Sequence, residues 1–315
     1  MPNFVTYVER DGALHEPVTE MTFKELGRTV VRKRTRARAL GFAPAPKTAF
    51  VLSGGGVLGA LQVGQLQALL EAGIVPDLLV GASVGALNAA ACASDPTLTG
   101  IARLRDGWMN LRGEDLFPGS KMQRAWHFVA KGDHLYPNDG IKALASMIPA
   151  TTFEQMVRPL SVVAAGLHSG KEHWFESGPL APALLASTAL PSIFPPVLID
   201  GEYLVDGGIV NNTPISRAVE LGAQEIYVLT CGNAQKSADS MRRPLDVLLQ
   251  AFAQSRAARS AEDLLRFSTQ AHINVIPVPD FGDIRFNDTS HTARLMRLGY
   301  EATAEHVARP ALKAL

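Results

Sequence analysis

Five residues, Gly81-Ala82-Ser83-Val84-Gly85, narrow the folds open to this chain. The apolar run Leu78-Leu79-Val80 leads into them, and Ala86-Leu87-Asn88-Ala89-Ala90-Ala91 leads out. A short apolar run reads as a buried strand, and the alanine-rich stretch as a helix. Glycines on either side of the serine allow a strained turn between the two, because they have no Cβ to clash. Such a strand, turn and helix lifts the Ser83 hydroxyl out of the sheet, where it can act as a nucleophile. The helix that follows aims its first N–H groups at any oxyanion formed there. A plainer reading makes Ser83 a helix N-cap.

A second glycine cluster lies upstream. Thr48-Ala49-Phe50-Val51-Leu52 reads as a buried strand and runs into Ser53-Gly54-Gly55-Gly56-Val57-Leu58-Gly59. A helix with Leu61, Leu66, Leu69 and Leu70 follows and ends near Gly73. Unpaired N–H groups converge in a loop of this kind and make an anion-binding corner. Gly54, Gly56 and Gly59 also match the dinucleotide fingerprint, but that reading requires an acidic residue at the tip of the next strand. Here the next strand ends at Ser83, so the glycines fit an oxyanion hole better. No Gly-Lys-Ser/Thr follows, which removes the P-loop reading.

Further along, Asp200-Gly201 between Val197–Ile199 and Tyr203–Val205 predicts a two-residue hairpin. Its second strand ends in Asp206-Gly207-Gly208, with Asn211-Asn212-Thr213-Pro214 beyond. Asp206 is either a general base at a strand end or a turn-stabilising side chain. Glu225–Thr230 and His272–Val278 read as strands, Pro244–Phe267 and Thr289–Val307 as helices. Strands alternating with helices predict an α/β sheet covered on both faces. The stretch Asp95–Pro149 reads as less regular: either a cap over an apolar pocket or ordinary insertion packing.

Whole-chain properties set the remaining limits. Lysine plus arginine equals aspartate plus glutamate at 30 each, so charge gives no pull toward nucleic acid. Cys92 and Cys231 sit apart in apolar contexts and read as buried thiols. No metal-ligand spacing stands out, and no cofactor is expected. The polar start and the lack of a long apolar run predict a cytoplasmic protein that meets a membrane only at its surface. Lys24 to Arg38 is strongly basic, with Glu25 its single acid. It reads either as a contact for anionic lipid headgroups or as a solvated arm. Gly41-Phe42-Ala43-Pro44-Ala45-Pro46 reads as a linker, giving an extension over 1–46 and one catalytic domain over 47–315.

Together the three motifs resemble the patatin-like phospholipase family over roughly residues 49–218. The resemblance rests on Ser53-Gly54-Gly55-Gly56 with Gly59, Gly81-Ala82-Ser83-Val84-Gly85 and Asp206-Gly207-Gly208. Ala186-Ser187 with Ala189 and Pro191, Phe194-Pro195-Pro196 and Asn211-Asn212-Thr213-Pro214 extend it. It implies a three-layer fold with a mostly parallel central sheet. It also implies a lipid acyl hydrolase with a Ser83–Asp206 dyad, an oxyanion hole of Gly54, Gly55 and Gly56, and no metal. Gly59, Gly81, Gly85, Gly207 and Gly208 would support the motifs, and an acyl lipid would be the substrate. The sequence departs from the family at Leu58, where Arg or Lys is usual. That loss favours a neutral lipid, lysolipid or thioester over a phospholipid. Two rival readings are an esterase triad completed by His272, His291 or His306, and a lipid-binding module without catalysis.

Overall fold

The computed structural model describes residues 48–118, 134–232, 244–282, 284 and 288–313. The whole of the 1–46 extension, with the basic segment 24–38 and the linker, lies outside the described residues. In chain order the elements begin with strand β1 (Thr48–Leu52), a 3-10 turn (Gly56–Gly59), helix α1 (Ala60–Glu71) and strand β2 (Leu78–Ala82). Helices α2 (Val84–Ser94), α3 (Leu98–Asn110), α4 (Gly113–Leu116) and α5 (Asp139–Ser146) follow. Next come β3 (Leu160–Gly166), β4 (Glu172–Phe175), α6 (Leu180–Ser187), β5 (Val197–Ile199) and β6 (Glu202–Asp206). The chain then forms α7 (Gly208–Asn211), α8 (Ile215–Glu220), β7 (Glu225–Leu229), α9 (Pro244–Phe267), β8 (His272–Val275) and α10 (Thr292–Lys313).

The strands form one mixed sheet, in which β3, β2, β1, β7 and β8 run parallel to one another. Their side chains alternate between two cores. Phe50, Leu52 and Leu79 pack with α1, α2 and α3 on one face. Ala49, Val51, Leu78 and Val80 pack with α8 and with Leu264 and Phe267 of α9 on the other. Strands buried on both faces have to be apolar throughout, which is why β1 and β2 show no polar alternation. The α/β class with helices on both faces is therefore the observed one.

One difference from the sequence reading and one agreement with it bear on the site. The stretch expected to be irregular contains α3, capped by the Thr97 hydroxyl, which accepts the Gly100 N–H at 3.2 Å. Ile101, Leu104 and Trp108 fall on its inner face at helical spacing. The hairpin at Asp200-Gly201 forms as the sequence predicts, with Ile199 opposite Glu202 and φ positive at both turn residues, 51° and 83°.

The register on β3 places the site. Val162 and Val163 pair with both β2 and β4, while Ala164 and Ala165 pair with both β4 and β6. A strand has only two edges. Parallel β2 and antiparallel β6 therefore share one edge of β3, lying end to end. β2 stops opposite Val163 and β6 stops opposite Ala164. The residue after β2 is Ser83, and the last residue of β6 is Asp206.

Candidate active site

Ser83 adopts φ 55° and ψ −131°, a conformation rare for a residue with a Cβ. Strain of this kind costs about 1–3 kcal/mol and persists only where the surroundings enforce it. Close packing enforces it here. A Cβ on Gly81 would stand 2.6 Å from the Ala86 Cα, and one on Gly85 would collide with the Leu52 carbonyl oxygen. With glycine at both positions, α2 turns back tightly over β1 and β2.

Across the gap between the strand ends, the Ser83 hydroxyl donates to Asp206 Oδ2 at 2.6 Å. The other carboxylate oxygen accepts the Gly208 N–H at 2.7 Å. Asp206 is only 3 % exposed. Burial pushes its carboxyl above the ordinary range, partly offset by the hydrogen bonds from Ser83 and Gly208 and by the charge of Arg256. The result is a more basic carboxylate already bonded to a hydroxyl proton. The close approach of β6 to β3 depends on Gly207, where a Cβ would strike the Val163 carbonyl.

The end of α6 holds both partners. The Ser83 N–H donates to the Ser187 hydroxyl at 2.9 Å. The Asp206 N–H donates to the Ala189 carbonyl at 2.9 Å, and the Gly207 N–H to the Ser187 carbonyl at 3.3 Å.

The glycine loop divides its roles. The Gly54 N–H is taken by the Asn212 carbonyl at 3.2 Å. A Cβ there would lie 2.9 Å from the Ser83 Cβ and 2.6 Å from Asn212 Oδ1, so this glycine lets the loop approach the serine. Gly55 presses against Cys231, and Gly56 has φ of +60°. Among the described residues, the amides of Gly55, Gly56 and Val84 have no hydrogen-bond partner, and all three residues line the cavity that Ser83 enters. Gly59 packs against Val84, where a Cβ would come within 2.6 Å of Cγ2. Gly208 lies beside both Asn212 and Asp206.

A buried polar network supports this loop from below. Gln62 Nε2 donates to the Ser53 carbonyl at 2.8 Å and to the Leu229 carbonyl at 3.0 Å. Asn88 Nδ2 donates to Gln62 Oε1 at 2.9 Å and to the Gly59 carbonyl at 3.0 Å, while Trp108 Nε1 donates to Asn88 Oδ1 at 2.9 Å. Sequence reading assigned these three residues no such role. Their buried amides and indole are visible only once α1, α2 and α3 are packed.

The cavity holds about 200 Å³. Leu58, Val84, Leu87, Trp108, Leu111 and Ile141 give it an apolar wall, extended by Phe117, which stacks on Phe194 at 5.9 Å. The region after α2 thus contributes a pocket wall. Among the described residues, no histidine lines the cavity. His272 opens β8 and pairs with Glu225, which opens β7, at 2.9 Å. Both sit at the end of the sheet opposite the elbow. His291 lies 3.7 Å from Asp288, before α10. Among the described residues, no cluster of His, Cys, Asp or Glu side chains could hold a metal ion.

The sequence model of the patatin-like phospholipases matches residues 50–219, more than half of the chain. The chain belongs to the patatin-like phospholipase family. All three motifs of the site, from Gly54 to Gly208, fall inside the match. An uncharacterized NTE family protein of Mycobacterium tuberculosis is 29 % identical over 182 residues, covering 54 % of this chain and 45 % of that protein. Neuropathy target esterase sws of Drosophila melanogaster is 29 % identical over 192 residues, covering 58 % of this chain and 13 % of that protein. The chain therefore spans less than half the length of these curated relatives. Among solved structures, VipD from Legionella pneumophila aligns with 85 % of this chain and 67 % of its own at 16 % identity, with a TM-score of 0.47.

Proposed function

We propose that this patatin-like protein is a serine acyl hydrolase that cleaves carboxylic esters of lipids. The observation that carries the reading is the 2.6 Å hydrogen bond from Ser83 to a buried, raised-pKa Asp206 beside an apolar cavity. A serine hydroxyl is a weak nucleophile and needs an adjacent base. In this reading Asp206 takes the Ser83 proton as Oγ attacks the ester carbonyl carbon. The oxyanion is held by the amides of Gly55, Gly56 and Val84, with Gly54 giving the loop its close approach. One such donor is worth about 10²–10³ in rate. The ester C–O bond breaks, Asp206 returns the proton to the leaving alkoxide, and the acyl group stays on Ser83. Water then gives a proton to Asp206 as it attacks the acyl carbonyl, and the proton passes back to the departing Ser83 oxygen.

The apolar cavity suits an acyl chain, and Ser83 and Asp206 both line it. We assign the catalytic unit to residues 47–315, with 1–46 as an extension whose basic segment contacts anionic lipid surfaces. Among the described residues, no helix is long and apolar enough to cross a membrane.

The test is labelling by a fluorophosphonate serine probe, run beside hydrolysis of p-nitrophenyl esters of increasing chain length. Wild type, Ser83→Ala, Asp206→Ala and His291→Ala are compared. Labelling and turnover lost in the Ser83 and Asp206 variants and kept in the His291 variant support the dyad. Loss in His291→Ala supports a triad, and a wild type that is neither labelled nor active with any ester overturns the proposal.

A further inference from the structure

The glycine loop brings an apolar side chain, Leu58, to the cavity wall, where it is buried. The cavity nevertheless contains a cation. Arg256, on α9, lies on its lining and is the only basic side chain there among the described residues. It comes from a part of the chain beyond the family match, which ends at residue 219.

The geometry of Arg256 is that of a group prepared for an anion. Its Nε donates to the Phe252 carbonyl one turn earlier at 3.2 Å, which fixes the guanidinium plane. The terminal nitrogens have no hydrogen-bond partner, and no carboxylate lies within ion-pair distance, among the described residues. The neighbouring Arg259 is different: it bonds Asp263 at 3.1 Å and Glu172 at 3.3 Å. Arg256 also sits close to the chemistry. A Cβ on Gly208 would stand 3.5 Å from its Nη1, and its charge is felt by Asp206 and by Cys231. A half-buried guanidinium with two open nitrogens beside an apolar pocket favours a phosphate, which it can grip through two parallel N–H bonds.

We propose that Arg256 is the headgroup-recognition residue. It would select acyl esters that carry a phosphate a few bonds from the scissile carbonyl. The inference rests on the reading of Ser83 and Asp206 as the hydrolytic pair. It reverses the expectation that the loss at Leu58 turns the site toward neutral lipids. The anion is assigned to the substrate itself because the open nitrogens and the apolar wall belong to the same cavity.

The experiment compares two substrates with the same acyl chain, 1-palmitoyl lysophosphatidate and 1-monopalmitoylglycerol, in detergent. Wild type, Arg256→Gln and Arg256→Lys are measured with the full chain, and each is also labelled with the fluorophosphonate probe. In Arg256→Gln, the ratio of kcat/KM for the phosphate ester to that for the neutral ester should fall about ten- to a hundredfold, mainly through KM. Arg256→Lys should recover part of that ratio. An equal loss on both substrates, with the acid limb of the pH profile moved upward, would show that Arg256 acts through the charge of Asp206 and would overturn the inference. An unchanged ratio overturns it too. A wild type that is neither labelled nor active on either lipid instead overturns the hydrolase reading on which it rests.

Discussion

Ser187 accepts the amide N–H of Ser83 at 2.9 Å, while its own carbonyl accepts Gly207, the residue after Asp206. One buried serine thus ties the strained elbow to the turn that carries the base. Ser187→Ala leaves a buried N–H without an acceptor, at a cost of about 1–3 kcal/mol. We expect a lower unfolding midpoint in urea and a kcat reduced about tenfold or more, with Ser187→Thr retaining more of both. An alanine variant as stable and as active as wild type would refute the coupling.

Asp206 sets activity against stability. Asp206→Asn keeps an acceptor for the Gly208 N–H but cannot take a proton, so kcat should fall about 10²–10⁴. The same change removes a buried charge. Because the folded carboxyl is raised above its unfolded value, its ionisation lowers stability as pH rises through that window. The asparagine variant should therefore melt higher than wild type at neutral pH, and the advantage should vanish in acid below the ordinary carboxylate range. Thermal scans at several pH values decide this.

The pH profile follows from the same shift. The base acts only when ionised, so kcat/KM should rise with pH along a limb that lies above the usual carboxylate range. Initial rates on an uncharged ester, with stability checked at each pH, measure it. A limb at the ordinary aspartate value would contradict the burial argument.

The network beneath the glycine loop predicts an order of effects. Trp108→Phe orphans the side-chain oxygen of Asn88, whereas Asn88→Ala orphans both the Trp108 indole and Gln62 Oε1. Each orphaned group costs about 1–3 kcal/mol. Asn88→Ala should be the more destabilised in denaturant titrations and should lose more in kcat than in KM.

Leu87 stands on the cavity wall behind the elbow. Leu87→Trp should fill the cavity and move the preferred p-nitrophenyl ester toward shorter acyl chains. A preference that stays with long chains would place the acyl group elsewhere.

Much of this site could be read before any coordinates. The Ser83 elbow, the glycine loop and the Asp206 turn each need glycine for a local backbone reason, and local reasons are written in sequence. The Asp200-Gly201 hairpin and the bounds of α9 were legible for the same reason. Helix α3 was missed because Gly100 and Gly107 dilute its propensity, although the Thr97 cap and the spacing of Ile101, Leu104 and Trp108 carry the signal. Ser187, Asn88 and Gln62 could not be assigned because their partners come from distant elements. Arg256 was hidden by degeneracy: α9 is rich in arginine, and only packing shows which arginine faces the cavity.

The end-to-end meeting of β2 and β6 on β3 has a consequence in time. Ser83 and Asp206 are 123 residues apart in sequence, and no local turn brings them together. Contacts of such separation form late, after the chain between them has been ordered. During synthesis Ser83 emerges long before Asp206. Under the proposed mechanism, a chain that has built β1, β2 and the glycine loop is therefore still inert toward esters, and the chemistry waits for β6 to dock.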